Sequence, residues 1–556
     1  MRVEEYYQKF CKETLDAQGV LSGFEAVYGE NFNYAYDVVD EIARMQPQRR
    51  AMVWCNEAGE ERTFTFGEIS RYSTMAANLF ASQGIGRGDR VMLVLKRHYQ
   101  FWFAILGLHK LGAITIPATN LLTPKDFIYR FQAAKVSAIV CTGEGEVAEH
   151  VEKAMEQYDG IKVRMVARGE REGWLNFDQL LLQQPDTFVR RLFPVSDTML
   201  LYFTSGTTGY PKMVCHDYTY PIAHIITAKH WHNVDPNGLH LTVSETGWAK
   251  SVWGKLYGQW FLGAGIFVYD FDKFIPAHLL ERIEKYRITT FCAPPTIYRF
   301  LIKEGLEHYD LSSLKYVTTA GEALNPEVFR KFKEYTGLMI MEAFGQTETT
   351  VLTANFVGST TTKVGSLGKA SLLYELDLVD EDGKPVPNGT VGEIVVKAKE
   401  GVTHLGMFTG YYEGAQRTAE VWHDGYYHTL DTAWRDDDGY FWYVGRMDDV
   451  IKASGYRIGP FEIESVLMEL PYILECGVTG VPDPIRGVVV KATIVLAKGH
   501  EPSDALVKEI QNYVKQQTAP YKYPRVIEFV DELPKTISGK IRRVELRKGL
   551  GQNTNA

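Results

Sequence analysis

Between residues 51 and 145, short apolar runs typical of β-strands alternate with stretches that have helical patterning. Residues 90–95 read as a buried strand, residues 98–112 as an apolar helix and residues 113–118 as the next strand. A further helix is predicted to begin with Thr123 as its N-cap, followed by Pro124 and, three residues after the cap, by Asp126. Residues 136–142 then return as a strand. This alternation predicts parallel β-structure covered by helices.

The same alternation resumes between residues 199 and 345, where FVYD (267–270), ITTFCAPP (288–295) and YVTTAGE (316–322) read as strands that end in turns. After about residue 370 the sequence pattern changes from strand–helix alternation to hairpin signals. KPVPNGTVGEIVVKA (384–398) and DDDGYFWYVGR (436–446) look like hairpins, because they contain Asn-Gly and Asp-Gly turn signals. The large first part is therefore expected to be α/β, with a β-rich distal portion.

The last hundred or so residues have an α+β pattern. Helices are predicted at residues 460–470 and 503–517, and strands near residues 488–497 and 525–530. A chain of 556 residues is too long for one ordinary core, so at least two domains are expected. We place the boundary after Arg446, which gives an N-terminal domain of residues 1–446 and a small C-terminal domain of residues 447–556.

Composition and charge exclude several classes of function. The formal net charge of −9 is mild for this length and argues against a general nucleic-acid binder. The six cysteines form no C-x-x-C pair, which argues against a zinc site or a disulfide framework and favours a reducing compartment. The first residues are too acidic for a transit peptide, and no apolar run approaches membrane-spanning length. These features together predict a cytoplasmic location.

The stretch TSGTTGYPK, residues 204–212, combines glycines, hydroxyl side chains and one lysine. Glycines let backbone N–H groups approach an anion, hydroxyl groups donate further hydrogen bonds and Lys212 adds positive charge. The stretch is not the P-loop G-x-x-x-x-G-K-[ST], because Gly206 and Gly209 are only three positions apart and Met213 follows the lysine. Taken alone, it fits a phosphate-binding loop and a flexible polar turn equally well.

Five more stretches carry potential chemistry: AGEAL (320–324), EAFGQTET (342–349), HTLDTA (428–433), GRMDDVIKASGYRIGPFEIE (445–464) and LPKTISGKIRR (533–543). In this order and spacing, together with TSGTTGYPK, they resemble the adenylate-forming acyl-CoA synthetase superfamily over nearly the whole chain. SETGWAKSVWGKLYGQWFLGAG (244–265) and VPDPIRGVVVKA (481–492) are most similar to its medium-chain acyl-CoA synthetase branch. The resemblance implies that a carboxylic acid, ATP and coenzyme A give acyl-CoA, AMP and diphosphate through an acyl-adenylate.

The resemblance also implies an ATP site with Mg²⁺. Glu348 would supply a hard oxygen ligand to the metal, which needs only one or two carboxylates plus phosphate oxygens, and Thr347 would donate to the α-phosphate. Asp431 would accept both ribose hydroxyls, although an Asp before Thr-Ala is otherwise usually a turn residue. The residues expected to contact ATP or AMP are Thr204, Ser205, Gly206, Thr207, Thr208, Gly209, Tyr210, Pro211, Lys212, Gly321, Glu322, Ala323, Glu342, Ala343, Phe344, Gly345, Gln346, Thr347, Asp431 and Arg446.

Lys540 is the main candidate for catalysis, with Thr347 and Glu348 beside it. A cation that bridges the substrate carboxylate and the α-phosphate offsets their repulsion and orients the attack. The competing interpretation is a solvated basic tail formed by Lys540, Arg542 and Arg543. Gly539, in a Pro-Lys-Thr-x-Ser-Gly-Lys frame, favours a shaped loop instead.

In the second step, coenzyme A must enter the face that Lys540 occupies in the first. The resemblance implies that the small C-terminal domain is mobile and rotates about a hinge at Asp448. The residues expected to contact coenzyme A are Ser454, Gly455, Tyr456, Arg457, Arg486 and Lys515, and the last three also fit ordinary surface cations.

The acyl pocket is expected to involve Trp248, Trp253 and Gly345. Acetate-specific relatives carry Trp just before the Gln-Thr-Glu motif, so Gly345 is expected to open space for several more carbons. Trp253, Lys250 and Lys255 argue against a very long tunnel. We therefore expect a short-to-medium-chain acid, with branched and aromatic acids as candidates, and blurred discrimination because each buried CH₂ adds only ~0.8 kcal/mol.

Two other functions fit parts of the sequence. An adenylation enzyme that charges a carrier protein is one, although no carrier domain follows in this chain. A non-catalytic nucleotide-binding homologue is the other, and the joint presence of Lys540, Glu348 and Asp431 argues against it. The sequence sets neither the oligomeric state nor the preferred acid.

Overall fold

The computed structural model describes residues 1–204, 211–358, 362–399, 404–453, 456–484, 487–536 and 540–548. In chain order the strands in these ranges are β1 (Cys11–Leu15), β2 (Leu21–Ala26), β3 (Arg50–Asn56), β4 (Glu61–Thr65), β5 (Arg90–Val94), β6 (Ile114–Pro117), β7 (Ala138–Thr142), β8 (Val163–Ala167), β9 (Leu175–Asn176), β10 (Thr198–Thr204), β11 (Lys212–Asp217), β12 (Leu239–Thr242), β13 (Gly265–Asp270), β14 (Thr290–Cys292), β15 (Tyr316–Ala320), β16 (Ile340–Gly345), β17 (Val351–Ala354), β18 (Lys369–Ala370), β19 (Leu376–Val379), β20 (Gly392–Lys397), β21 (Gly410–Tyr411), β22 (Trp422–His423), β23 (Tyr426–Arg435), β24 (Phe441–Arg446), β25 (Ile451–Ala453), β26 (Tyr456–Ile458), β27 (Ile473–Asp483), β28 (Gly487–Leu496) and β29 (Val526–Phe529).

The α-helices in the same ranges are α1 (Glu41–Met45), α2 (Phe66–Ser82), α3 (Gln100–Leu111), α4 (Pro124–Ala134), α5 (Val147–Met155), α6 (Phe177–Leu182), α7 (Tyr220–Ile225), α8 (Ala249–Lys255), α9 (Tyr257–Phe261), α10 (Pro276–Lys285), α11 (Pro295–Glu304), α12 (Pro326–Thr336), α13 (Ala415–Ala419), α14 (Pro460–Leu467), α15 (Asp504–Gln517) and α16 (Arg543–Lys548). Two segments, Ala35–Asp40 and Ile226–Trp231, are π-helical, and two, Val3–Lys9 and Leu306–His308, are 3-10 helices. No helix in the part of the chain described here is long and apolar enough to cross a bilayer.

Two large sheets form the first part of the molecule. One has the order β21-β11-β10-β6-β5-β7-β8-β9 and is parallel from β10 to β9. The other has the order β18-β17-β16-β15-β14-β12-β13-β3-β4 and is parallel from β16 to β3. The predicted strand–helix alternation is confirmed, and it also includes antiparallel edges at β11, β21, β17 and β4.

The predicted start of α4 is confirmed in atomic detail. The Thr123 backbone N–H and hydroxyl both donate to Asp126 Oδ2, at 3.0 and 2.7 Å. This reciprocal cap satisfies donors that the first turn of a helix leaves unpaired.

The largest hydrophobic cluster joins the facing sides of both sheets. It includes Trp54 of β3, Leu93 of β5 and the wholly buried helix α3. Because the two sheets share this core, the carboxyl ends of the strands in one sheet have fixed positions relative to those in the other. β10, β15 and β16 end at Thr204, Ala320 and Gly345, which are the starts of the predicted ligand loops.

The later part of the chain is β-rich and then α+β, as expected. β19, β20, β23 and β22 form an antiparallel sheet, and β24 pairs with β23 across a turn at residues 436–439. Beyond β24, the small sheet β27-β28-β29 packs with α14 and α15 around its own hydrophobic cluster.

The N-terminal hairpin β1–β2 is tied to a distant π-helix by Glu13. The Glu13 carboxylate pairs with Lys229 and, at 2.6 Å, with His230 Nε2. Burial alone would raise the pKa of Glu13, but the hydrogen bonds from His230 and Lys229 lower it to about 2. The next residue, Trp231, is fully buried and lies 5.8 Å from the ring of Trp253.

Candidate functional site

β10 and β11 form an antiparallel hairpin in the first large sheet, and TSGTTGYPK is the stretch of sequence that links them. Thr204, at the end of β10, and Lys212, at the start of β11, are antiparallel register partners. The Pro211 carbonyl accepts a hydrogen bond of 2.8 Å from the Tyr129 hydroxyl. The predicted phosphate contacts Ser205, Gly206, Thr207, Thr208, Gly209 and Tyr210 lie outside the described residues.

Glu348 lies directly beside this hairpin. Its Oε1 accepts a hydrogen bond of 2.9 Å from the Tyr411 hydroxyl, and its backbone carbonyl accepts one of 2.7 Å from the Phe408 N–H. Lys212 Nζ is 5.1 Å from the centre of the Tyr411 ring. The backbone of the preceding residue, Thr347, is also held, because its carbonyl accepts from His216 Nε2 at 2.7 Å. Lys212, at the base of the hairpin, and Glu348, the candidate metal ligand, therefore both contact Tyr411.

Asp431 is buried at the centre of a second hydrogen-bonded group. Gln346 Nε2 donates to Asp431 Oδ2 at 2.6 Å, and the Tyr443 hydroxyl donates to Oδ1 at 2.9 Å. The Tyr427 hydroxyl donates to Gln346 Oε1 at 2.8 Å, which fixes the orientation of that amide. Each carboxylate oxygen of Asp431 keeps a lone pair, so the two oxygens can each accept one hydroxyl of a ribose.

Arg446 faces the same carboxylate from β24. One guanidinium nitrogen lies 3.7 Å from Asp431 Oδ2, beyond hydrogen-bond length, and Nε is buried with no hydrogen-bond partner among the described residues. Burial raises the pKa of Asp431, and the charge of Arg446 counteracts this. Arg446 therefore keeps donors available for a ribose or a phosphate oxygen.

The predicted border of the adenine is formed by the ends of β15 and β16. Gly321 has a φ of +102°, a left-handed conformation that favours glycine, and Glu322 Oε2 accepts from the Thr296 hydroxyl at 3.1 Å. Ala323 follows this turn, and Ala343 and Phe344 lie on β16, where the Phe344 ring is 6.2 Å from Tyr443. Burial raises the pKa of Glu342 to about 8, and its Oε1 accepts from the Leu324 N–H at 2.9 Å.

Lys540 approaches this site on a small hairpin. Lys535 and Ile541 form a β-bridge, and the Lys540 N–H and carbonyl both bond to Thr536, at 3.1 and 2.7 Å. Burial raises the pKa of Asp431 and lowers that of Lys250, and the charge of Lys540 lowers both, so it opposes burial at Asp431 and adds to it at Lys250. The Lys540 side chain is exposed, and residues 537–539 of the predicted loop, Gly539 among them, lie outside the described residues.

The candidate acyl residues surround α8. Trp248 is the half-buried N-cap of this helix, and Trp253 packs against Trp231 and His232. Lys250 donates to the Ala320 carbonyl at 2.9 Å and lies 5.7 Å from the Trp253 ring, so it lines the same region.

The open space expected at Gly345 is absent. A Cβ atom on Gly345 would lie 2.2 Å from the Thr350 carbonyl oxygen, so the direction a side chain would take is filled by backbone. This contact could not be predicted from the sequence, because Gly345 and Thr350 are brought together by the register shift between β16 and β17. Pocket depth therefore cannot be inferred from the missing side chain of Gly345.

The predicted coenzyme A residues are only partly described. Ser454, Gly455 and Arg486 and the side chain of Arg457 fall outside the described residues. Tyr456 is 48% exposed and stacks on Tyr521 with ring centres 3.9 Å apart. Lys515, on α15, is exposed and lies 4.1 Å from the Tyr523 ring. Tyr456 and Lys515 are thus accessible to a ligand.

Asp448 lies on the exposed connection between β24 and β25. Its carbonyl accepts from Arg547 of α16 at 2.7 Å, and the next residue, Asp449, pairs with Arg547 and Arg543. Sequence reasoning named Arg543 only as part of a basic tail, and it missed Arg547, Tyr411, Tyr427, Tyr443 and His216. These five residues lie outside the short motifs or, like Tyr443, within a stretch that predicted only a hairpin.

The chain is similar to curated acyl-coenzyme A synthetases over most of its length. Among curated proteins, the mitochondrial acyl-coenzyme A synthetase ACSM3 of Homo sapiens is 40% identical over 541 residues, covering 96% of this chain and 92% of the relative. The mitochondrial acyl-coenzyme A synthetase ACSM5 of Rattus norvegicus is 41% identical over 530 residues, covering 93% and 90%. The predicted cytoplasmic location is wrong by this comparison, because these relatives are mitochondrial.

Solved structures and family profiles agree with these relatives. An anthranilate CoA ligase in complex with anthranoyl-AMP matches with a TM-score of 0.85 and 29% identity, covering 94% of this chain and 98% of that chain. A benzoate CoA ligase from Burkholderia xenovorans matches with a TM-score of 0.82 and 25% identity, covering 93% and 100%. The AMP-binding enzyme profile matches residues 39–412, and the profile of the AMP-binding enzyme C-terminal domain matches residues 462–540. By these matches, together with its strand-end motifs and buried Asp431, the chain belongs to the AMP-binding enzyme family.

Proposed function

We propose that this protein is an ATP-dependent, AMP-forming acyl-CoA synthetase that acts on short-to-medium-chain carboxylic acids. The observation that carries the proposal is that Gln346, directly after β16, donates to the buried carboxylate of Asp431 at 2.6 Å, two positions before the candidate metal ligand Glu348. A ribose acceptor beside a metal ligand is where the phosphates of ATP would be held. The full-length similarity to acyl-coenzyme A synthetases supports the same reaction.

In the first step, a carboxylate oxygen of the acid attacks the α-phosphorus of ATP, and the bond from that phosphorus to the bridging oxygen breaks to release diphosphate. Lys540 offsets the repulsion between the two anions, and Asp431 holds the ribose so that the α-phosphate is fixed. Lys212 and the hairpin between β10 and β11 bind the leaving diphosphate. In the second step, the thiol of coenzyme A attacks the acyl carbonyl, and AMP leaves.

The polar side chains fit a magnesium ion bound through ATP. Glu348 Oε1 is occupied by Tyr411, and no described residue bonds Oε2, which is left for a hard cation. Within the described ranges, no three His, Cys, Asp or Glu side chains group as a metal site, so most ligands would be phosphate oxygens and water, as Mg²⁺ prefers. When bound, the metal neutralises phosphate charge while Glu348 sets its position.

The two steps require two arrangements of the chain, and we place the division after Arg446, with the hinge at Asp448. The contacts that described residues of 451–548 make with the preceding part include polar ones, such as Lys452 with Glu381 at 2.9 Å and Asn325 with the Ser465 carbonyl at 3.2 Å. Such contacts separate at low cost. Rotation would remove Lys540 and bring Ser454, Gly455, Tyr456, Arg457, Arg486 and Lys515 toward coenzyme A.

The substrate class rests on the relatives and on the residues around α8. The half-buried Trp253 and Lys250 limit the depth of the acyl region, and two solved relatives are ligases of anthranilate and benzoate. The test is thioester formation from ATP, coenzyme A and a panel of acids from acetate to decanoate, with benzoate and branched acids. Activity on none of these acids would contradict the proposal.

Carrier-protein charging and nucleotide binding without catalysis remain distinguishable by experiment. Acid-dependent exchange of diphosphate into ATP separates an enzyme from a binder, and thioester formation on free coenzyme A separates a ligase from a carrier-charging enzyme. The relatives also support a mitochondrial location, and the six free, buried cysteines are compatible with that reducing compartment.

A further inference from the structure

Tyr411 is a buried residue that contacts two candidate phosphate-site side chains at once. Its hydroxyl donates to Glu348 Oε1 at 2.9 Å, and Lys212 Nζ stands 5.1 Å from its ring centre, within the range of a cation–π contact. Only 7% of Tyr411 is exposed, so both contacts are shielded from solvent. Both partners come from distant parts of the chain.

The backbone around Tyr411 makes it a rigid support. β21 pairs with β11, with Tyr411 opposite Val214, and the Tyr411 N–H donates to the Thr418 hydroxyl at 3.0 Å. Three residues earlier, the Phe408 N–H holds the Glu348 carbonyl at 2.7 Å. The segment 408–411 therefore fixes Glu348 through both its backbone and its side chain.

The hydrogen bond from Tyr411 makes the two carboxylate oxygens of Glu348 inequivalent, because only Oε1 accepts it. The Tyr411 hydroxyl is the donor in this contact, because an ionised carboxylate can only accept. With Oε1 engaged, Oε2 is left as the oxygen for a cation. Without the hydroxyl, the carboxylate would be free to rotate between side-chain conformations, and fixing it would oppose metal binding.

We propose that Tyr411 is a positioning residue that orients Glu348 for the magnesium ion bound with ATP and holds Lys212 against the same ring. This inference rests on the proposed function, in which Glu348 is the protein ligand of that metal. Tyr411 itself touches neither the metal nor the reacting atoms. It couples the base of the phosphate hairpin to the metal ligand.

The test separates the hydroxyl from the ring. In Tyr411→Phe the ring stays under Lys212 but the hydrogen bond to Glu348 is lost, so the Mg²⁺ concentration for half-maximal diphosphate exchange should rise about tenfold, as for one charge-assisted hydrogen bond. Saturating Mg²⁺ should restore most of the rate. In Tyr411→Leu the contact with Lys212 is lost as well, so the KM for ATP should also rise.

A binding measurement provides a readout that does not depend on turnover. The affinity for an ATP analogue with a methylene group between the α- and β-phosphates, titrated by calorimetry at several Mg²⁺ concentrations, should show the same tenfold shift in Tyr411→Phe. Tyr298→Phe is the matched control, because Tyr298 is fully buried and its hydroxyl bonds only the backbone, to the Thr318 carbonyl at 2.9 Å and the Phe291 carbonyl at 3.5 Å. It should leave the Mg²⁺ dependence unchanged.

Two results would overturn the inference: a Tyr411→Phe enzyme with the wild-type Mg²⁺ dependence, or one whose rate falls equally at every Mg²⁺ concentration, as a structural role would cause. Glu348→Gln distinguishes this failure from failure of the metal role itself. If Glu348→Gln shifts the Mg²⁺ dependence and Tyr411→Phe does not, only the role of Tyr411 is wrong. If neither variant shifts it, the proposed metal ligand is wrong.

Discussion

The Gly345→Ala substitution tests how the turn after β16 is built. A Cβ atom there would lie 2.2 Å from the Thr350 carbonyl oxygen and 3.1 Å from its carbon. That carbonyl accepts from the Thr349 hydroxyl at 2.8 Å, and the same hydroxyl accepts from the Gln346 N–H at 3.0 Å. Room for the methyl group can be made only if the turn that carries Gln346 and Glu348 moves.

The magnitude follows from the size of the overlap. Relieving the contact requires a backbone shift on the order of 1 Å, and overpacking of this kind typically costs ~1–3 kcal/mol. A shift of this size would move Gln346, which orients Asp431 toward the ribose, and Glu348, the proposed metal ligand. We therefore expect Gly345→Ala to lower kcat/KM by roughly 5- to 150-fold, the range that ~1–3 kcal/mol represents, and by a similar factor for every acid. Gly345→Trp should behave in the same way and more severely.

The assay is kcat/KM for straight-chain acids of two to eight carbons, with the KM for ATP and the melting temperature measured alongside. Gly86→Ala is the matched control, because a Cβ atom at Gly86 meets nothing within 4 Å and its backbone needs no left-handed φ. If Gly345→Ala shortened the chain-length preference while the KM for ATP stayed unchanged, the acyl chain would pass Gly345 and this reasoning would be refuted.

Three further predictions follow from the same geometry. Lys540→Ala should slow adenylate formation by about 10²–10³-fold yet still convert supplied acyl-adenylate and coenzyme A to thioester, and an equal loss in both half-reactions would contradict its role. Asp448→Pro fixes φ near about −65°, so thioester formation should drop steeply while diphosphate exchange persists, unless the hinge lies elsewhere. Because the pKa of Glu342 is raised to about 8 from its unfolded value of 4.5, the native state binds the extra proton between these values, and the free energy of unfolding should fall as pH rises from 4.5 to 8. Denaturant titrations of Glu342→Gln should show a weaker fall, and identical slopes would contradict the buried, protonated state.

The alternation of strands and helices could be predicted because its causes are local. The apolar run at residues 90–95 became β5, Arg90–Val94, and the Thr123–Asp126 cap forms within a single turn of helix. The loops at the ends of β10, β15 and β16 were predicted for a similar reason, since parallel sheets place ligand loops at the carboxyl ends of strands.

The tyrosine contacts could not be predicted, because they depend on pairings between distant segments. Tyr411 is 63 positions from Glu348, and Tyr427 is 81 positions from Gln346. The sequence pattern around a tyrosine does not predict which carboxylate or amide its hydroxyl will bond. The error at Gly345 has the same origin, since the direction of an absent side chain depends on the register of β17.

The predicted cytoplasmic location was wrong for a different reason. Scattered, unpaired cysteines indicate a reducing compartment, and both the cytosol and the mitochondrial interior keep thiols reduced. The cysteines therefore do not discriminate between the two, and the acidity of the first residues was given too much weight against a mitochondrial location.

The bond between Glu13 and the π-helix Ile226–Trp231 has a consequence for protein engineering. Glu13 is 217 positions from His230, yet its carboxylate bonds the two residues before Trp231, which in turn packs against Trp253. A chimera that receives residues 220–260 without β1 would leave Lys229 and His230 without this carboxylate partner and so loosen the segment that supports Trp253. Segments exchanged to change acid preference should therefore include the N-terminal hairpin as part of the same module.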